Sequence, residues 1–98
     1  MTIIDIKDKC IEIKGHSGYA SAGSDIVCSA ISTLAIATYN YLEATNNNVS
    51  YEELDGELII ILHEINDSGK QIIKTFSDMV DDLISQYPKY IGRIKWKY

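Results

Sequence analysis

Between Val27 and Leu42 the apolar residues fall at helical spacing. Val27, Ala30, Ile31, Leu34, Ala35, Thr38, Tyr41 and Leu42 form one stripe, with steps of three and four. A 98-residue chain that commits so much of itself to one amphipathic helix must bury that stripe against a second layer. The flanking segments supply it, because their period is two rather than 3.6. Thr2 to Lys7 alternates loosely, and Cys10 to Lys14 alternates cleanly, with Ile11 and Ile13 opposite Cys10, Glu12 and Lys14. Asp8-Lys9 suits the turn of a hairpin between them. After the Asn46-Asn47-Asn48 turn, Val49 to Leu54 reads as a short strand. Asp55-Gly56 is a hairpin turn, and Glu57 to Ile65 is a strand whose run Leu58–Leu62 suggests a central position, covered at least in part on both faces. A second helical stripe follows, with Ile72, Ile73, Phe76, Met79, Val80, Leu83, Ile84 and Tyr87. It starts at Asp67 or Ser68 and is stopped by Pro88. Tyr90 to Tyr98 reads as a last strand. The predicted order is β-β-α-β-β-α-β: an α+β fold, one domain over residues 1–98, two helices on a mostly antiparallel sheet.

Composition narrows the function classes. Hydrophobic residues make up 46%, enough for a core without disulfide staples. Lys and Arg number 9 against 14 Asp and Glu, a net charge of −5, which argues against nucleic acid as a direct partner. The basic tail residues Arg93, Lys95 and Lys97 alternate with Ile94, Trp96 and Tyr98, and read as a strand face. The N-terminus meets a charge too early for a signal peptide, and no apolar run approaches a membrane span. The setting expected is therefore cytoplasmic and reducing, with Cys10 and Cys28 as free thiols. Neither cysteine nor histidine spacing fits a metal site, and no cofactor is implied.

Gly15 to Ser32 carries the chemistry. His16 opens a loop rich in Gly, Ala and Ser, with three of the six glycines: Gly15, Gly18 and Gly23. The helix is predicted to begin after Ser24 or Asp25, either of which can cap it, and Cys28 then lies in its first turn. Free amides and the helix dipole at that position favour a thiolate, and a histidine folded back by the loop would trade the proton with it. The first-turn amides would hold an oxyanion. Asp25 would orient His16 as well as cap the helix, and Ser32, one turn beyond Cys28, would lie near the sulfur. Each residue also has a plainer reading: Cys28 as a small buried hydrophobe, His16 as a loop residue, Asp25 as a cap only, Ser32 as a polar helix residue. Cys10 reads as an incidental strand residue, and His63, in the fourth strand, as solvent-facing or hydrogen-bonded.

Gly15-His16, followed by Gly23-Ser24-Asp25-Ile26-Val27-Cys28 and then Ser32, resembles the signature of the bacterial ribosomal-processing cysteine proteases, the Prp family. The resemblance implies a small homodimeric cysteine endopeptidase. Such enzymes remove the short N-terminal extension of a large-subunit ribosomal protein precursor (protein twenty-seven). By that resemblance His16 is the general base and acid, Cys28 the nucleophile, and Asp25 and Ser32 the supporting groups. Gly15, Ser17, Gly18, Tyr19 and Gly23 belong to a substrate-binding loop expected to order over the peptide. Ser17 stands where the family usually has Ala, and Ala22 where it often has a larger residue; both bear on substrate fit. Two other functions compete: a non-catalytic ribosome-associated binding module, and a thiol redox protein, which would need Cys10 to approach Cys28.

Overall fold

The computed structural model describes residues 1–15 and 22–94, with only the backbone for 22–25. The order is β1 (Thr2–Ile6), β2 (Cys10–Lys14), α1 (Ala22–Ala44), β3 (Asn48–Leu54), β4 (Glu57–Glu64), α2 (Asp67–Gln86) and β5 (Ile91–Arg93). The predicted sequence of elements is the observed one. The five strands form one sheet in the order β3-β4-β2-β1-β5, with β2 in the middle. Neighbours pair antiparallel except β1 with β5, which run parallel.

Register decides which side chains share a face. Ile4 pairs with Ile13 and Ile6 with Ile11 across β1 and β2. Ile11 pairs with Ile60 and Ile13 with Leu58 across β2 and β4. These residues make one apolar face, and Ile4, Ile11, Ile13, Leu58 and Ile60 are all buried. Val27, Ile31, Ala35 and Leu42 of α1, with Phe76 and Val80 of α2, complete the same core. Burying one such side chain contributes roughly 1.5–3 kcal/mol, so this face holds most of what keeps the chain folded. β4 is interior, as its run predicts, but its two faces differ: Leu58, Ile60 and Leu62 are buried, whereas Ile59 and Ile61 are half-buried.

The opposite face is polar at β1 and β2. Asp5 and Glu12 stand directly across from one another in register. Like charges so placed repel. Lys7 Nζ lies 3.5 Å from Asp5 and 3.3 Å from Glu12, and Lys14 Nζ 3.4 Å from Glu12, so the lysines offset that repulsion.

The ends of the helices were only partly legible. α1 starts at Ala22, so Asp25 and Gly23 lie inside it and neither Ser24 nor Asp25 is its cap. Ala22 and the small polar residues after it carry no apolar signal, so the stripe hides the first turn. α1 ends at Ala44, and Asn46 takes a left-handed conformation (φ 66°) that asparagine tolerates. The cap of α2 is Asn66, whose side-chain oxygen accepts from the Gly69 amide at 2.8 Å. Asn47, expected only as a turn residue, is buried: its side chain donates to Leu42 O and accepts from the Asn66 amide at 2.8 Å. It sits so close to Gly69 that a Cβ there would collide with it. Of the predicted last strand, Ile91–Arg93 form β5, the Ile94 amide donates to Ile4 O at 2.9 Å, and residues 95–98 lie outside the described residues. Arg93 is held by α2, donating to Ser77 Oγ at 2.9 Å and Asp81 at 3.0 Å.

Candidate active site

Cys28 lies on the buried side of α1, facing the sheet beside Val27 and Ile31, and only 7% of it is exposed. It is six residues past Ala22, hence in the second helical turn and not the first. The amides without intrahelical acceptors belong to the first four helical residues, a turn upstream of the sulfur's own residue. The terminus of α1 therefore acts on the sulfur from farther away than the sequence predicts.

The sulfur has a partner that sequence reasoning missed. Thr2 Oγ1 is 3.6 Å from Cys28 Sγ, within hydrogen-bond reach for sulfur, and Thr2 is 1% exposed. Thr2 opens β1, where its amide donates to Tyr90 O at 2.9 Å and its register partner is Ile91 of β5. No local signal could have found this contact, because the two residues are 26 positions apart.

Gly15 sits over the same end of β1. Its φ is +81°, a conformation that residues with a Cβ rarely adopt. A Cβ there would collide with the Met1 carbonyl oxygen and lie 3.6 Å from Thr2 Cα. Its amide donates to Gly56 O at 3.1 Å. The start of β1 thus touches both Cys28 and the residue immediately before His16. His16, Ser17, Gly18 and Tyr19 lie outside the described residues, as does the side chain of Asp25. Ser32 is half-buried on α1, one turn beyond Cys28. Gly23, expected in the loop, is in the first turn of the helix.

Cys10 is on the other side of the sheet. It lies on the β2 face that turns away from the helices, 3.9 Å from Glu12 Oε1. Burial pushes its thiol above the ordinary value, and the Glu12 carboxylate pushes it further. That is the opposite of what a reactive thiolate needs. Both cysteines are free, and with the sheet between them Cys10 does not serve Cys28 as a resolving thiol. This removes the geometric basis of the redox reading. His63 is exposed, with Nε2 2.7 Å from Ser50 Oγ across β3 and β4. Among the described residues no three metal-ligating side chains cluster.

A groove of about 840 Å³ runs between α1 and α2, lined by Ile26, Ser29, Ala30, Met79 and neighbours. Its described lining does not include Cys28, which lies on the opposite side of α1.

The family model for cysteine protease Prp matches residues 1–92. Similar solved structures include the ribosomal processing protease Prp from Staphylococcus aureus in complex with a substrate peptide. It is 19% identical, with a TM-score of 0.83 and 95% of each chain covered. The same protein with a covalently linked product peptide is 20% identical, TM-score 0.74, covering 95% of this chain and 97% of the other. SMU.848 from Streptococcus mutans is 22% identical, TM-score 0.74, covering 94% and 89%. At these identities the likeness speaks for the fold. No curated protein matches the chain.

Proposed function

Because the chain belongs to the cysteine protease Prp family, we propose that it is an endopeptidase for a ribosomal protein precursor. Its substrate is the short N-terminal extension of a large-subunit ribosomal protein (protein twenty-seven). The observation that carries this reading is the family match across residues 1–92, which spans the Gly15-His16 and Asp25–Cys28 motifs. Similar folds described as ribosomal processing proteases, one with a substrate peptide, support it.

In this mechanism Cys28 Sγ attacks the scissile carbonyl carbon after His16 takes the thiol proton. The tetrahedral intermediate collapses, the peptide C–N bond breaks, and His16 passes the proton to the leaving amine. Water then opens the thioester, His16 taking one of its protons and returning it to the sulfur. Asp25 orients His16, and Ser32 hydrogen-bonds near the sulfur. Gly15, Ser17, Gly18, Tyr19 and Gly23 shape the path of the peptide.

The protein works as a homodimer in a cytoplasmic setting. The exposed Ile26, Ile36, Tyr41 and Met79 on the outer side of the two helices support the dimer. Among the described residues no helix is long and apolar enough to cross a membrane.

The experiment is cleavage of a peptide spanning the extension, followed by mass spectrometry. Wild type should cut it, and Cys28→Ala and His16→Ala should lose at least a thousandfold in kcat/KM, in line with loss of a nucleophile or its base. Peptide binding without cleavage by wild type would make the protein a binding module. Cleavage by Cys28→Ala at the wild-type rate would remove Cys28 from the chemistry.

A further inference from the structure

We infer that Thr2 is a further residue of the site: its hydroxyl donates to the Cys28 thiolate and holds it in place for attack. The inference rests on Cys28 being the nucleophile.

Thr2 Oγ1 is 3.6 Å from Cys28 Sγ, and both residues are buried. Among the described residues no buried side-chain oxygen or nitrogen lacks a partner, and the sulfur is the hydrogen-bond partner of this hydroxyl. In the neutral pair either group can donate. Once the sulfur has lost its proton only the hydroxyl can, and the bond becomes charge-assisted. The contact therefore stabilises the ionised sulfur more than the neutral one.

The hydroxyl is also firmly aimed. Thr2 is anchored by its amide to Tyr90 O at 2.9 Å and by its pairing with Ile91. As a β-branched residue it has few side-chain rotamers to choose among. Gly15 rests on the Met1 carbonyl and near Thr2 Cα, so the same strand end that holds the sulfur also seats the residue before His16. Sequence from three separate segments meets at Thr2.

The test is the rate of iodoacetamide labelling of Cys28 against pH, resolved from Cys10 by peptide mass mapping. Wild type, Thr2→Ser, Thr2→Val and Thr2→Ala are compared, the last two removing the hydroxyl with different volumes. The hydroxyl-free variants should label Cys28 about three- to tenfold more slowly near pH 7, the range of one such hydrogen bond. They should converge with wild type on the high-pH plateau, and Thr2→Ser should keep the wild-type profile. Unchanged profiles in the hydroxyl-free variants overturn the inference. So does a slowing or quickening of equal size at every pH, which reports packing or access alone. If one hydroxyl-free variant fails to fold, the other decides. Failure here is distinct from failure of the protease reading, which Cys28→Ala tests by cleavage and not by labelling.

Discussion

Replacing Gly15 by alanine tests how the start of β1 is packed beneath the site. At φ +81° an L-residue with a Cβ pays about 1–2 kcal/mol of backbone strain. The new Cβ would also strike the Met1 carbonyl oxygen, which is backbone and cannot rotate away. Relief requires the chain to shift, weakening the Gly15 amide bond to Gly56 O (3.1 Å) or the Thr2 amide bond to Tyr90 O (2.9 Å). One such bond contributes about 0.5–1.5 kcal/mol. The two effects together give about 2–3 kcal/mol, or roughly 10–20 °C in Tm for a domain this small. Urea and thermal unfolding measure it directly. Gly15→Asn separates the two causes, since asparagine accepts the left-handed conformation at smaller cost but still carries a Cβ. It should recover only about 1 kcal/mol. Because Gly15 precedes His16, both variants should also lower kcat/KM, by about ten- to a hundredfold if His16 is displaced by an ångström. Gly15→Asn as stable as wild type would refute the collision with Met1. Gly15→Ala within about 0.5 kcal/mol of wild type would refute both parts of the reasoning.

Two further outcomes are expected. Cys10 should label with iodoacetamide only at pH values above those of an ordinary thiol, because burial and then the Glu12 carboxylate disfavour its thiolate; Glu12→Gln should bring the profile down. The sign for stability follows: the native state keeps this proton where the unfolded chain has lost it. The contribution is thus complete below the unfolded value of about 8.5 and is lost as pH rises through the native one, so the urea midpoint of wild type should fall relative to that of Cys10→Ser as pH rises through that range. A Cys10 profile at or below the ordinary thiol range would count against this. Sedimentation at micromolar concentration should give twice the single-chain mass, and Ile26→Glu with Met79→Glu, both on exposed apolar positions, should shift it to one chain. A single-chain species for wild type would end the dimer reading.

Local pattern alone determined the number, type and order of the elements. Period two and period 3.6 are properties of neighbouring residues, so the switch at Val27 and again at Ile72 needed no tertiary information. Gly15, His16, Asp25, Cys28 and Ser32 stood out as a set through their resemblance to a family signature, since the spacing alone left each its plainer reading. Boundaries were less legible. Ala22 to Asp25 have no apolar period, and a polar side chain inside a helix start looks like a cap. The strand order β3-β4-β2-β1-β5, with its one parallel pair, was decided only by the packed structure. So were the partners of particular side chains: Arg93 against Ser77 and Asp81, Asn47 against Asn66, and Cys28 against Thr2. These contacts join residues 12 to 26 positions apart, and which distant groups meet depends on how whole faces are buried together. Thr2 is the clearest case. In sequence it is a strand-forming residue beside the first methionine; in the fold, burial of the β1 face against α1 turns its hydroxyl onto the one sulfur the motif had singled out.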